Sequence, residues 1–422
     1  MSVEMMLNSA IVLPLITAAL VLICGRNPNL REAVSLLSAV VLIVLVCQLY
    51  SAYSAGTEIS TLWWPLIPGL NIAFEIAPLG LIFAMIASFL WLVTTCYAIG
   101  YMRGHHEKNQ TRFFCCFAVA ISAVMGIAFS DNLFSLFVFY EVLTLSTYPL
   151  VTHAGTADAK RSGRIYLGVL LGTSIAFFLL AVAGTWLVAQ SLDFTPGGVF
   201  SDSVDKATAG LLLLLFVFGI GKAAMMPFHR WLPAAMVAPT PVSALLHAVA
   251  VVKAGVFTVI KVCVFIFGLD LLSQLAAAQF LLYLGGASVL LASIVAMRQD
   301  NLKLRLAYST ISQLGYVTIG ALLASQAGVI GSALHIAAHA FGKITLFFCA
   351  GAILVSLHKT EISQMRGIGR QMPLTMLAFF IASLSIIGVP PAAGTWSKWF
   401  LLTGSLDSGQ YFIMLALMLS SL

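Results

Sequence analysis

The sequence predicts an all-α protein that crosses a membrane many times. Hydrophobic residues make up 61% of the 422-residue chain and charged residues only 9%, whereas a soluble domain carries about 25% charged residues. Apolar segments of the length that a helix needs to span a bilayer follow one another along the chain. No polar stretch is long enough for a soluble domain, so the net charge of +6 does not indicate nucleic-acid binding.

The spans can be placed in order. The last apolar segment has only begun when the sequence stops at Leu422, so we expect twelve complete spans, an unfinished thirteenth and a truncated chain. The predicted segments cover residues 7–25, 33–55, 77–100, 112–130, 132–152, 164–190, 207–228, 240–268, 271–297, 304–325, 328–357, 373–404 and 409 onward.

Lys and Arg residues are divided very unevenly between the loops. The even-numbered loops hold only Lys206. Because cytoplasmic loops are enriched in Lys and Arg, we expect a multi-pass protein of the inner (plasma) membrane whose N-terminus lies outside. The odd-numbered loops hold Arg26, Arg31, Arg103, Lys108, Arg112, Lys160, Arg161, Arg164, Arg230, Arg298, Lys303, Arg305, Lys359, Arg366 and Arg370.

The remaining basic residues lie within spans, where an ammonium costs several kcal/mol and usually has a function. Only Glu141 is a clearly intramembrane carboxylate. Lys261 lies near the outer end of its span, where we expect it to snorkel to the interface. Asp131, in the turn before the fifth span, is expected to cap a helix. The intramembrane lysines are Lys222, Lys253, Lys261, Lys343 and Lys398.

The fifth span carries a polar stripe. Thr144 and Tyr148 follow Glu141 at i+3 and i+7, which places all three on one helix face. We expect Lys222, at a similar depth in the seventh span, to pair with Glu141, since the gain or loss of a proton changes such an attraction sharply in low dielectric. The alternative is a static ion pair that fixes helix packing.

Histidines extend this set of titratable groups. His247 and Lys253 lie in the eighth span, and His335, His339 and Lys343 follow one another at i, i+4 and i+8 in the eleventh. Imidazole both accepts and donates protons near neutral pH, so the pattern favours a proton relay. Satisfied polar packing and a metal site are the alternatives. We expect no metal and no cofactor, because no HExxH motif or neighbouring acid completes a site.

Two spans are interrupted by proline. The seventh contains glycine, Lys222, Pro227 and tryptophan, with His229 before the tryptophan and Pro239 after it, and the twelfth repeats the glycine, proline, lysine and tryptophan around Pro390, Pro391 and Lys398. Non-helical backbone at membrane depth is tolerated where it is buried in protein or lines a wet cavity. Two interrupted helices in corresponding halves indicate an inverted repeat and an ion path.

These motifs resemble the antiporter-like proton-pumping subunits of respiratory complex I and of Mrp-type cation/proton antiporters, with membrane-bound hydrogenase relatives. The similarity covers about residues 110–400. A lysine at position 398 is similar to the Mrp D-type or the distal complex I type. The segments that carry the resemblance are FYEVLTLSTY, GKAAMMPFHRWLPAAMVAPTPVSALLHAVAVVKAG, RLAYSTISQLGY and HAFGKITLFFCAGAI.

The resemblance implies a fourteen-helix fold in which spans four to eight and nine to thirteen form inverted repeats with broken helices seven and twelve. It divides the chain into residues 1–110, a first repeat at 111–268 and an incomplete second repeat at 269–422. It also implies residue roles. Glu141 and Lys222 become a modulating charged pair, Lys253 and the two histidines a central relay, and Lys398 the terminal lysine.

We therefore expect a proton-translocating subunit that acts with other membrane subunits in the lipid bilayer. Protons are its cargo and Na⁺ is a second candidate. It counts as a translocase if its partners are redox subunits. The rivals are a membrane subunit of an inorganic-carbon uptake complex, a stand-alone secondary transporter and a structural scaffold whose polar residues hold helices together.

Overall fold

The computed structural model describes residues 2–67, 70–200 and 204–421, so Leu422, at the end of the predicted second repeat, lies outside the described residues. The first part of the chain is helical apart from one hairpin. Its helices are α1 (Val3–Ile23), α2 (Pro28–Ser54), α3 (Pro78–Gly104), α4 (Gln110–Phe129) and α5 (Leu133–Val151).

The middle of the chain contains the most irregular helices. Its elements are α6 (Ala157–Thr173), α7 (Leu179–Ala189), α8 (Lys206–Gly219), α9 (Trp231–Ala234), α10 (Thr240–Ala244), α11 (Val251–Lys261) and α12 (Leu269–Ser273). Helices α6 and α7 form one span through the π-helical turn Ser174–Phe178.

The last part of the chain returns to long helices with a second interruption. Its elements are α13 (Ala276–Arg298), α14 (Leu302–Leu322), α15 (Gln326–Leu357), α16 (Ile368–Gln371), α17 (Pro373–Ile387), α18 (Ala393–Asp407) and α19 (Tyr411–Ser421). Nine helices in the described part of the chain are long and apolar enough to cross a membrane, and α8, α17 and α19 are shorter apolar helices.

Spans seven and twelve are broken as predicted. Helix α8 ends at Gly219, and Lys222 lies beyond it in a single 3-10 turn, Gly221–Ala223. Helix α17 ends at Ile387, and Gly388 follows at φ +90°, a conformation open to glycine but strained for other residues. Pro390 and Pro391 occupy the gap before α18. At both breaks, backbone N–H and C=O groups inside the protein lack partners within a helix.

The eighth span was predicted near residues 240–268, and the structure places it at Thr240–Phe267, with a more irregular backbone than the other spans. It consists of α10, a π-helical turn at Leu245–Val249, α11 and a second π-helical turn at Val262–Phe267. Every residue of α11 is buried. The apolar pattern indicated the length of this span, but not the turns that interrupt it.

A β-hairpin between α2 and α3 was not predicted. Strand β1 (Ser60–Ile67) pairs with strand β2 (Leu70–Glu75) in an antiparallel register that brings Ser60 opposite Glu75. Phe74 is fully buried and forms a bridge with Ser130, at the end of α4. Aromatic residues at alternating positions favour strands, but the segment is too short for a span and its pattern alone did not indicate a partner strand.

The residue that caps the N-terminus of α5 also differs from the prediction. Asn132, and not Asp131, occupies the N-cap position, where its side chain accepts a hydrogen bond of 2.8 Å from the Ser135 backbone N–H. The Asp131 backbone N–H instead donates to the Ala73 carbonyl of β2. The capping group was therefore predicted one residue too early, and the hairpin accounts for the backbone of Asp131.

Candidate functional site

Lys222 lies in the break of the seventh span and is fully buried. Its ammonium donates to the Tyr140 carbonyl at 2.8 Å and to the Thr144 hydroxyl at 2.5 Å, and it lies 3.1 Å from the centroid of the Tyr140 ring. The Lys222 backbone N–H, freed by the end of α8, donates to the Tyr140 hydroxyl at 3.1 Å. Helix α5 therefore holds both the side chain and the backbone of this lysine.

Glu141 does not contact Lys222. Both of its carboxylate oxygens are buried without a hydrogen-bond partner among the described residues, and none of the salt bridges found there includes Glu141. The predicted direct ion pair is therefore absent in this structure, because neutral oxygens of Tyr140 and Thr144 surround the ammonium.

Lys253 of α11 contacts the Nδ1 atom of His339 on α15. Both side chains are almost completely buried, and the Nε2 atom of His339 has no partner among the described residues. A ring nitrogen without a proton accepts from the ammonium, whereas a protonated ring donates to a neutral amine. The contact therefore suits the exchange of one proton between the two side chains.

His335 lies one helical turn before His339, with the two rings stacked at a centroid distance of 6.0 Å. Its Nδ1 atom lies 2.9 Å from the Ser397 hydroxyl and its Nε2 atom 3.1 Å from the Gln313 amide oxygen. A neutral ring donates to Gln313 and accepts from Ser397, and a protonated ring donates to both. Both protonation states therefore have satisfied hydrogen bonds. The Tyr316 ring also stacks on the His335 ring, with a centroid distance of 5.4 Å.

Lys398 of α18 reaches back to the break in the twelfth span. Its ammonium donates to the carbonyls of Ile386 and Ile387, at 2.8 and 3.0 Å, and to the Ser421 hydroxyl at 2.9 Å. The carbonyls are free because α17 ends there, so they have no intrahelical donor. The break thus provides the oxygens that hold this buried cation.

The lysine–histidine file consists of Lys222, Lys253, His339, His335 and Lys398. Lys343 and His247 lie beside it. Lys343 donates to the Ser309 hydroxyl at 2.8 Å and to the Leu306 carbonyl at 3.2 Å. The fully buried His247 ring lies 4.7 Å from the Phe347 ring.

Neutral side chains complete the site, and sequence reasoning missed them. The Tyr140 ring lies against the Lys222 ammonium, and the Ser309 hydroxyl accepts a hydrogen bond from Lys343. Gln313 and Ser397 are the hydrogen-bond partners of the His335 ring, and Tyr316 stacks on it. The available signal was their position, because three of them lie in the motif RLAYSTISQLGY inside an apolar span.

Two predicted supporting residues, Tyr148 and His229, lie away from the file. Tyr148 packs against Gly163 of α6, and half-buried His229 lies in the seventh-span break with its Nδ1 atom unpartnered within the described ranges. Lys261 was expected to snorkel, but it is only 3% exposed and donates to the Ser130 carbonyl at 3.0 Å. A backbone acceptor beside the Phe194 ring replaces water for this lysine.

Two family models match the chain. The model described as NADH:quinone oxidoreductase/Mrp antiporter, TM, matches residues 130–422. The model described as NADH-ubiquinone oxidoreductase (complex I), chain 5 N-terminus, matches residues 64–114. The chain belongs to the NADH:quinone oxidoreductase/Mrp antiporter family. The predicted family resemblance is thereby confirmed.

Curated members of this family are similar along most of the chain. NADH-quinone oxidoreductase subunit N of Desulforudis audaxviator is 33% identical over 364 residues, which are 85% of this chain and 71% of that protein. NAD(P)H-quinone oxidoreductase chain 5 of Synechocystis sp. is 31% identical over 78% of this chain and 50% of that protein. The chain thus spans about half the length of this chain 5 relative.

Two solved structures contain chains with the same fold. A chain of the Mrp complex from Dietzia sp. superimposes with a TM-score of 0.89 at 24% identity, covering 100% of this chain and 78% of that chain. A chain of the membrane-bound sulfane sulfur reductase, an archaeal respiratory membrane complex, gives 0.87 at 24% identity over 98% of this chain and 85% of that chain. The antiporter-like fold with broken helices is therefore confirmed, while the residue roles stay predictions.

Proposed function

We propose that this chain translocates protons as the antiporter-like subunit of a multi-subunit membrane complex. The observation that carries the proposal is the lysine–histidine file, in which the contact between Lys253 and His339 joins α11 to α15. Titratable groups buried at membrane depth are costly and commonly mark ion pathways. The family contains respiratory and Mrp subunits, which supports the same assignment.

In this proposal the face with the Lys- and Arg-rich loops, called the basic face below, is cytoplasmic and the N-terminus lies outside. A proton is held between Lys222 and Lys253, passes through His339 and His335 to Lys398 and leaves outward. Movement of Lys222 between Thr144 and Glu141 biases each step. Neighbouring membrane subunits couple this movement to their own reaction, and water fills the gaps between side chains.

The test removes each charged partner in turn. We expect Lys222→Ala and Glu141→Ala to abolish ion-coupled proton movement while the complex still assembles, because each removes a charge that controls proton affinity. The measurement is dye-reported acidification of vesicles that hold the complete complex. Lys206→Ala, at an exposed lysine outside the file, is the matched control and should transport normally.

Wild-type transport by either file variant would refute the proposal. Solute uptake by this chain reconstituted alone would favour the stand-alone transporter, and an active Lys253→Leu variant would favour the scaffold. Identification of co-purifying subunits separates the complexes. Hydrophilic redox subunits indicate a respiratory complex and a translocase, small membrane subunits an antiporter with Na⁺ exchange, and a carbon-hydrating partner an inorganic-carbon complex.

A further inference from the structure

The lysines at the two helix breaks both lie near the face of a buried tyrosine ring. The Lys222 ammonium is 3.1 Å from the centroid of the Tyr140 ring, and the Lys398 ammonium is 5.0 Å from that of Tyr316. Tyr140 is fully buried and Tyr316 is 1% exposed. The face of an aromatic ring is electron-rich, so it attracts a cation within about 6 Å of its centroid. Both rings therefore favour the charged form of the lysine beside them.

Contacts with its neighbours fix the Tyr140 ring beside Lys222. The Tyr140 hydroxyl accepts a hydrogen bond of 3.1 Å from the Lys222 backbone N–H. Phe178 packs on the ring at a centroid distance of 5.3 Å, with an angle of 78° between the two planes. Phe178 is fully buried in the π-helical turn between α6 and α7. Movement of the ring away from the ammonium would therefore break a hydrogen bond and displace a buried side chain.

The Tyr316 ring is held in a similar way beside Lys398. Its hydroxyl lies 2.8 Å from the Ser421 hydroxyl, which also accepts from the Lys398 ammonium at 2.9 Å. The ring is nearly parallel to that of His335, with an angle of 15° between the planes. Tyr316 thus contacts two members of the lysine–histidine file.

No carboxylate lies on the helices that surround Lys398. The helices that pack against α18 in the described part of the chain are α14, α15, α17 and α19, and none of them contains Asp or Glu. The acid of α18 itself is Asp407, about two and a half turns beyond Lys398. Two of the neighbouring cations, Lys303 and Arg305, lie at the basic face. The titratable groups on the four helices are Lys303, Arg305, Tyr308, Tyr316, His335, His339, Lys343, Cys349 and Tyr411.

Lys222 has acids on neighbouring helices but no ion pair. Glu141 does not contact it, Asp158 is exposed at the start of α6, and none of the salt bridges among the described residues includes Lys222. The helices around the break are α5, α6, α11 and α14. Besides those of α14, the titratable groups on these helices and in the break are Tyr140, Glu141, Tyr148, Asp158, Lys160, Arg161, Arg164, Tyr166, His229, Arg230, Lys253 and Lys261.

We propose that Tyr140 and Tyr316 are positioning residues whose ring faces stabilise the charged form of Lys222 and Lys398 in place of a carboxylate. A ring carries no net charge, so it favours the ammonium without an ion pair that proton release would have to break. In the predicted repeats, spans five and ten hold the tyrosines and spans seven and twelve the lysines. The inference rests on the proposed function for the role of the two lysines, whereas their charge state can be measured without transport.

Ring fluorination tests the contact at Tyr140 in vesicles that hold the intact complex. The reference is Tyr140→Phe, and the series places one, two or three fluorines on that phenylalanine, which withdraw electrons from the ring face at nearly constant size. Acetic anhydride modifies neutral amines and not ammonium ions, and mass spectrometry measures the acetylation of Lys222. We expect acetylation to become faster with each fluorine, about tenfold in total, as for the loss of a desolvated contact between a cation and a ring.

The matched control is the same series at Tyr166. This tyrosine is also fully buried, but its ring packs on Trp231 and its hydroxyl contacts Thr147, so Lys222 acetylation should stay constant. A flat series at Tyr140, or an equal trend at Tyr166, would overturn the inference. Fluorotyrosines, which keep the hydroxyl, serve the same test if Tyr140→Phe prevents assembly.

A carboxylate variant separates the ring from Glu141. We expect the trend at Tyr140 to persist in a Glu141→Gln background, because the ring acts without the acid. Loss of the trend in that background would show that the acid, and not the ring, stabilises the charge of Lys222.

The labelling also separates the inference from the proposed function. Acetylation as expected in a complex whose Lys222→Ala variant still transports protons would refute the proposed function alone. A flat series in a complex whose transport needs Lys222 would refute the role of Tyr140 alone.

A second arm tests Tyr316. We expect fluorination there to speed the acetylation of Lys398, by less than at Tyr140 because the ammonium lies farther from the ring. The trend should persist in Ser421→Ala, which removes the hydrogen bond between Ser421 and Lys398 and leaves the ring. A flat series at Tyr316 would remove this residue from the inference.

Discussion

Neutral oxygens, and not a carboxylate, hold Lys222 in this structure. The Tyr140 carbonyl and the Thr144 hydroxyl accept from its ammonium, and a hydroxyl can equally donate to a neutral amine. The surroundings of Lys222 therefore fit the lysine both with and without its extra proton. A residue that gains and loses a proton in place needs partners of this kind.

Substitution of Thr144 tests this arrangement. We expect Thr144→Val to slow ion-coupled proton uptake about tenfold or more, because a hydrogen bond to a charged group contributes about 1.5–3 kcal/mol. Initial uptake rates in vesicles measure the effect. Thr147→Val is the control, since the Thr147 hydroxyl contacts Tyr166 and the Leu143 carbonyl instead of Lys222. Equal rates for the two variants would contradict the role of Thr144.

Sequence reasoning identified the charged members of the site but not the neutral ones. A lysine inside an apolar span is rare and costly, so Lys222, Lys253 and Lys398 could be recognised directly. Hydroxyl and amide residues such as Gln313 and Ser397 are common between membrane helices, so their presence alone indicates little. The depth of a residue along a span also does not show which way its side chain points. For this reason the sequence favoured a pair between Glu141 and Lys222, two residues at a similar depth that are not in contact in the structure.

At the scale of elements, close helix contact fixes the position of the seventh-span break. A side chain at Gly255 of α11 would lie 2.4 Å from the backbone of Lys222 and Ala223, so only glycine permits this approach. Helix α11 also carries Lys253, and it therefore positions two members of the lysine–histidine file. The eighth span, in which the sequence already indicated His247 and Lys253, thus also fixes the position of the backbone at Lys222.

The end of α5 packs on the loop between α3 and α4 through His153. Its Nε2 atom lies 3.9 Å from the Glu107 carboxylate, and Arg112 donates to its carbonyl at 2.9 Å. Burial lowers the pKa of His153 below 6.5, outweighing the opposite effect of Glu107. Because the unfolded chain then takes up more protons below about pH 6.5, the folded state loses stability as the pH falls through that value.

This pH dependence can be measured by difference. We expect the melting temperature of the wild-type complex to fall more than that of His153→Gln between about pH 8 and about pH 5.5, because only the wild type has a buried imidazole to protonate in that window. Parallel curves for the two proteins would show that His153 does not contribute to acid sensitivity.

The extent of successful prediction differs between elements for physical reasons. The breaks in spans seven and twelve were predicted because proline and glycine interrupt helices through their own geometry. The π-helical turns of the eighth span and the β1–β2 hairpin were missed, since tertiary packing determines them. Phe74, for example, is buried only because α4 and α5 lie beside the hairpin.

At the scale of the whole molecule, the Lys253–His339 contact connects α11 of the first half with α15 of the second. The predicted boundary between repeats, at residues 268 and 269, falls between these two helices. The division itself stays a prediction, but the contact crosses it. In the proposed pathway, this contact is the place where a proton passes from one half to the other.

A double-mutant cycle tests that role. We expect Lys253→Met and His339→Leu each to slow transport about a hundredfold, the lower end of the range for a positioned proton-transfer group, and the double variant to be no slower than either alone, because residues that act as one unit have strongly non-additive effects. Rates in vesicles, with Lys253→Met plus Lys206→Ala as the unrelated pair, measure the coupling. A wild-type rate in either single variant would show that protons cross between the halves elsewhere.

The broken twelfth span has an electrical consequence. Lys398 is held by the carbonyls of Ile386 and Ile387, which are dipoles and carry no net charge to cancel the ammonium. In the proposed pathway, a proton that arrives there retains its full charge, and the membrane voltage acts on it with up to about 2.3 kcal/mol per 100 mV for a complete crossing. In the proposed pathway, the helix break thus leaves the last step of proton transfer exposed to the electric field across the membrane.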